Sequence, residues 1–232
     1  MLLNDECSPT TDEIGFIALP ARKAADIIVR KWQKTVPLRW SEHQGALREN
    51  LARLLPLTSI ASPRRMFVQT NSRWTAYFDN GWRGTDAWAI ISDLAEKRAH
   101  GMKVAADPQS FGGVRRPVDS PSVIWEVFGP KRTDFLNVVR NVSVIDQGAG
   151  HWEFDQLGQP FPFEDLARYS TRPIKDRFTV EMLLEYLKHF DIDLFNADFY
   201  SGPAVLIELT GPKHPKMREY PTFKAAREGD RS

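Results

Sequence analysis

Between Arg73 and Asp107 the chain reads RWTAYFDNGWRGTDAWAIISDLAEKRAHGMKVAAD, and this stretch constrains the fold more than any other. Trp74, Ala76 and Phe78 alternate with Arg73, Thr75 and Tyr77, the period of a strand. Asp79-Asn80-Gly81 is turn chemistry, because Asn and Gly tolerate the positive φ of a tight reversal. Gly84-Thr85-Asp86 then opens a helix, with the Thr85 or Asp86 side chain as the expected N-cap. Trp88, Ile91, Leu94, Ala95 and Arg98 recur at helical spacing, Gly101 supplies a stop, and Met102–Ala106 has the length of a strand.

The rest of the chain repeats this vocabulary. Ile14–Leu19 reads as a strand, and Ala21–Thr35 as an amphipathic helix with Ala24, Ile28 and Trp32 on its apolar stripe. The basic outer face of that helix is a solvated surface, since overall basicity is missing. Ser41–Gln44 fits a capping box ahead of Leu47, Leu51, Leu54 and Leu55. Arg64–Thr70 pairs with Trp74–Phe78 as a hairpin, and Asn141–Asp146 with His151–Asp155 as a second. Val123–Phe128 and Ala204–Leu209 are further strands, Phe135–Val139 a helical turn, and Thr179 caps a helix whose core face is Met182, Leu183, Tyr186, Leu187 and Phe190. Hairpins favour antiparallel pairing. The expected class is therefore α+β, mainly an antiparallel sheet built from hairpins, with helices packed on one face. Residues 1–210 form a single domain, with a seam, if there is one, in the Gly-, Pro- and Ser-rich loop 108–122. Residues 211–232 make a charged, Pro-containing tail, expected to be disordered or held by a partner.

Composition excludes more than it identifies. The chain has 31 Lys and Arg against 30 Asp and Glu, a net charge of +1, so no global field draws nucleic acid or an anionic membrane, and neither is an expected partner. Its single cysteine, Cys7, has no partner for a disulfide or a metal cluster. The first residues, MLLNDECSPTTDE, show neither a basic n-region nor an apolar core, and no run is long enough to cross a bilayer. The expected setting is a soluble protein of a reducing, bacterial-type cytoplasm.

Chemistry is sparse. Gly81–Asp86 leads into a helix N-terminus where free amides and Arg83 suit an anion, although the two glycines are equally explained as turn punctuation. With Arg115 and Arg116 of the long loop, this segment supplies the candidate binding residues Asp79, Asn80, Trp82, Arg83, Asp86, Arg115 and Arg116. Trp82, beside Arg83, is the tryptophan expected to be exposed. His151, Glu153 and Asp155 share a strand face, but alternate strand residues lie about 7 Å apart, too far for three ligands to one metal. Asp191, Asp193, Asn196 and Asp198 lack the glycine and glutamate of a calcium loop and suit Asx turns instead. No nucleophile motif or paired-histidine spacing occurs, and Asn141-Val142-Ser143 is a chance sequon. No cofactor and no metal are expected. The resulting expectation is a binding or interaction protein without catalytic activity, of the immunity type that neutralises a toxin, with another protein as partner. The alternative is a hydrolase-like enzyme whose site is assembled from Asp79, Arg83, His151 and Glu153.

Overall fold

The computed structural model describes residues 1–106, 122–148 and 150–229. In chain order the elements are β1 (Glu13–Ile17), α1 (Ala21–Trp32), β2 (Leu38–His43), α2 (Leu47–Ala52), β3 (Leu57–Thr58), β4 (Arg64–Gln69), β5 (Thr75–Asp79), α3 (Trp88–Ala95), β6 (Gly101–Ala106), β7 (Ser122–Phe128), β8 (Val138–Asp146), β9 (Trp152–Leu157), α4 (Val180–Lys188), β10 (Ala204–Leu209), β11 (Glu219–Tyr220) and α5 (Phe223–Glu228). Nine strands make one sheet in the order β2-β10-β4-β5-β1-β6-β7-β8-β9, and every neighbouring pair is antiparallel. The α+β class and the antiparallel sheet are as the sequence implies. Both expected hairpins form, with Met66 opposite Phe78 in one and Val144 opposite Phe154 in the other. No described helix is long and apolar enough to cross a membrane.

The helices do not share one face. On one side Phe16, Met66, Trp74, Phe78, Trp125 and Leu206 meet α2 and α4 through residues such as Leu51 and Leu187. On the other, Ile17, Phe67, Tyr77, Val205 and Ile207 meet α1 and α3 through Ala24, Ile28, Ile91 and Leu94. The cause is visible in the central strands. RRMFVQ and TAYFD carry apolar residues at consecutive positions, so each strand has two faces to bury.

Two glycines set how α3 sits. A Cβ on Gly15 would come 2.6 Å from Ile91 Cγ1, and one on Gly101 would come 2.6 Å from Ile91 Cγ2. Bare backbone at these points lets Ile91 lie directly on β1 and β6. Gly101 is thus the first residue of a strand rather than a helix stop. Nor do Thr85 and Asp86 cap α3: its cap position is Ala87, without a side-chain bond, while Thr85 Oγ1 donates to the Thr10 carbonyl at 2.9 Å.

Ser41–Gln44 is not a capping box. Leu38–His43 pairs along its whole length with β10, Trp40 facing Ile207 and Ser41 facing Leu206, because the alternation of LRWSEH serves a strand. Phe135–Val139 is likewise a turn leading into β8. Thr179 does cap α4, accepting from the Met182 amide. β10 enters the sheet between β2 and β4, joining the end of the described chain to its beginning. Residues 211–229 then fold back on the body. β11 pairs with β3, the Ser59 amide donates to the Arg218 carbonyl while the Arg218 amide donates to Ser59 Oγ, and Arg227 donates to the Asp5 carbonyl. Residues 107–121, which hold all of the expected seam 108–122 but Ser122, lie outside the described residues, and the strands on either side pair directly, Val104 opposite Trp125.

Candidate functional site

The turn after β5 is built around Asp79. Its Oδ1 accepts the Gly81 amide at 2.8 Å and its Oδ2 the Asp86 amide at 3.1 Å, while Tyr77 donates to Oδ2 at 3.3 Å. The next amide, that of Ala87, donates to Glu13 Oε1 at 2.9 Å. Donors that could have held an anion are therefore spent on the protein's own carboxylates. Burial pushes the Asp79 carboxyl above its usual range, outweighing those amides and the nearby Arg65.

Asn80 is buried, its side chain accepting from the Arg64 amide at 2.9 Å and donating to the Pro56 carbonyl at 2.9 Å. Trp82 is half-buried rather than exposed. Its ring stacks on Tyr220 with centroids 5.5 Å apart, and the exposed Arg83 guanidinium sits 5.0 Å from the same ring. Asp86 is exposed. Arg115 and Arg116 lie outside the described residues. Asp79, Asn80, Trp82 and Arg83 thus come together at one corner, and of the four Asn80 reaches the wall of a neighbouring groove.

That groove encloses about 730 Å³ between the ends of β2, β4 and β10 and the strap Leu209–Glu219. Asn80 and Thr58 line it beside Pro37, Pro56, Pro63 and Pro212, with Ile60 and Met217 adding apolar surface. Its charges come in pairs. Arg39 bonds Glu208 twice, at 2.7 and 3.2 Å; Arg64 Nε adds a contact to Glu208 at 3.3 Å; Lys213 bonds Glu219 at 2.7 Å. Arg39 holds the Glu208 carboxyl below its ordinary range. Cations outnumber acids in the lining, Arg39, Arg64 and Lys213 against Glu208 and Glu219. Such a lining is mainly apolar, with its carboxylates held in ion pairs and the exposed His214 imidazole at its strap side. Arg39, Arg64 and Glu208 escape a reading of the sequence because they converge from distant strands, although a lone Glu in AVLIEL is a signal that one strand position faces a charge.

A second charged cluster lies where β1, β6 and β7 meet α3. Lys103 Nζ reaches Glu13 Oε2 at 3.4 Å and Glu126 Oε2 at 3.7 Å, and the Trp88 indole donates to Glu126 at 3.2 Å. Burial pushes the Glu13 carboxyl up to about 7. Both Glu13 oxygens are engaged, one by a helix amide and one by Lys103, so the group ties α3 to the sheet.

Glu153 and Asp155 stand on the outer strand β9, with His151 just before it; Glu153 accepts from Gln147 and Asp155 from Asn141. Among the described residues no group of His, Cys, Asp and Glu is placed to hold a metal. Asp79 on β5 and Glu153 on β9 are separated by β1, β6, β7 and β8, roughly 24 Å at ordinary strand spacing. The described structure therefore leaves Asp79, Arg83, His151 and Glu153 unassembled. No protein-family model matches the chain, and no curated protein or solved structure matches it significantly.

Proposed function

We propose that this is a non-catalytic binding protein that grips an extended, acidic segment of another protein in the groove beneath the 209–219 strap. The observation that supports this most is the lining itself: prolines and aliphatic side chains that need no reorganisation, with Arg39, Arg64 and Lys213 outnumbering Glu208 and Glu219 among them. A toxin-neutralising role of the immunity type fits such a protein, since it acts by occupying its partner.

The test uses a synthetic peptide alternating Glu with Val, titrated by calorimetry against the full chain. Binding that weakens with added salt and drops about tenfold in Arg64→Ala and Lys213→Ala supports the reading. Equal affinity for an alternating Lys-Val peptide, or binding indifferent to both substitutions, refutes it.

A further inference from the structure

The sheet has two outer strands, β2 and β9, and their chemistry is opposite. Which backbone groups face outward follows from the inner pairing. The Thr210 amide donates to the Pro37 carbonyl and the Leu209 amide to the Pro63 carbonyl, so even-numbered β10 residues bond β2 and odd-numbered ones bond β4. On β2 the odd positions are consequently turned inward. The N–H and C=O groups of Leu38, Trp40 and Glu42 point off the sheet, and no described strand takes them. On β9 the Gln147 amide donates to the His151 carbonyl, which turns the backbone of Trp152, Phe154 and Gln156 outward by the same logic.

Two copies joined by a two-fold axis across such an edge pair even with even positions, with like faces together. For β9 this fails on charge. Phe154 opposite itself sets Glu153 against Asp155 twice, and a shift in either direction sets Glu153 or Asp155 against its own copy. Like charges directly opposite destabilise a strand pair, the usual way an edge is protected. For β2, Trp40 opposite Trp40 sets Leu38 against Glu42 and Arg39 against Ser41, with no like-charge pair. Roughly six ladder bonds form in that register. Trp40 is 40% exposed, large for an unpartnered ring, and is already held flat by the Arg22 guanidinium, 3.9 Å from its centroid, which also pairs with Glu42.

We infer that the chain self-associates through β2, the two sheets joining antiparallel about a two-fold axis at Trp40. The partner is a second copy of this chain, and the two Trp40 rings, each backed by Arg22, pack across the axis. This inference stands apart from the groove proposal, which concerns a different partner.

Sedimentation velocity from low micromolar to submillimolar concentration tests it, alongside Trp40→Lys and, at the other edge, Phe154→Lys. The expected result is a molar mass that doubles with concentration in the parent and in Phe154→Lys, and stays monomeric in Trp40→Lys, which sets two ammonium groups against each other. Circular dichroism checks that both variants keep their fold. Amide exchange supplies a second readout: the backbone amides at positions 38, 40 and 42 slow with concentration in the parent and in Phe154→Lys, and not in Trp40→Lys. A parent that stays monomeric throughout, or a Trp40→Lys protein that dimerises equally, overturns the inference.

Discussion

Arg140 and Glu13 are both ionisable side chains set inside the fold, and their surroundings treat them differently. Arg140 is 0% exposed, and each of its N–H groups has an acceptor. Nε and Nη2 reach Glu164, Nη2 also reaches Gln156, and Nη1 reaches the Leu157 and Gly158 carbonyls. Glu164 in turn accepts from the Phe161 amide at 2.8 Å and the Tyr169 hydroxyl at 2.7 Å. Glu13 shares one lysine with Glu126 at longer distances and has Asp86 nearby, which pushes its carboxyl further up. A buried charge is kept when its partners are complete and is driven toward neutrality when they are not. The first cluster pins the 157–170 segment to the sheet; the second leaves a proton that exchanges near neutral pH.

The difference is broken most severely at Glu164. Glu164→Ala strands the Arg140 guanidinium, and denaturant unfolding is expected to show a loss of about 3–5 kcal/mol. Replacing both members with apolar residues of similar volume is expected to recover most of that.

Glu13 makes the opposite prediction. Its folded value, about 7, lies above its ordinary 4.5, so the folded state binds more protons across that window. Stability from this group is full below pH 4.5 and falls as pH rises to about 7, by roughly 3 kcal/mol. Glu13→Gln is expected to remove that decline from stability measured between pH 4.5 and 8. An unchanged slope means that Glu13 is ionised in the fold.

Gly101→Ala links α3 packing to the same titration. The added methyl meets Ile91, which is expected to cost about 1–3 kcal/mol. Lifting α3 readmits water to Glu13, so its titration midpoint, followed by carboxyl NMR, is expected to move down toward the ordinary range.

Much of this fold is legible in the residues, and the reason is burial. Strands such as TAYFD and helices such as VEMLLEYLK announce themselves because one packed interior rewards their periodicity. The two-sided covering was also present in the sequence, as consecutive apolar residues in β4 and β5, but assigning α1 and α3 to one face and α2 and α4 to the other needs the positions of Gly15 and Gly101 beneath Ile91. The insertion of β10 is long-range pairing that no local pattern carries. The groove is less legible than the fold. Asp79 and Asn80 look like ligand groups because Asp and Asn suit turns and sites alike; here they close the turn internally. Arg39 lies far along the chain from Glu208 and Lys213, and only the pairing of β10 with β2 brings it to them.

The smallest expected effect on stability separates these buried clusters from the groove. Arg39 is an exposed partner of Glu208, and Arg39→Ala is expected to change unfolding free energy by no more than about 1 kcal/mol. In the proposed function its effect falls on binding.

In the proposed function the groove is where a partner is held, and the interior charges serve structure. Amide and methyl chemical-shift mapping during titration with the alternating Glu-Val peptide measures this residue by residue. The expected perturbations centre on Thr58, Ile60, Arg64, Thr210, Lys213 and Met217 and leave Glu13, Lys103 and Glu126 unmoved. Shifts that centre on the Glu13 cluster, or that scatter without any in the groove, contradict it.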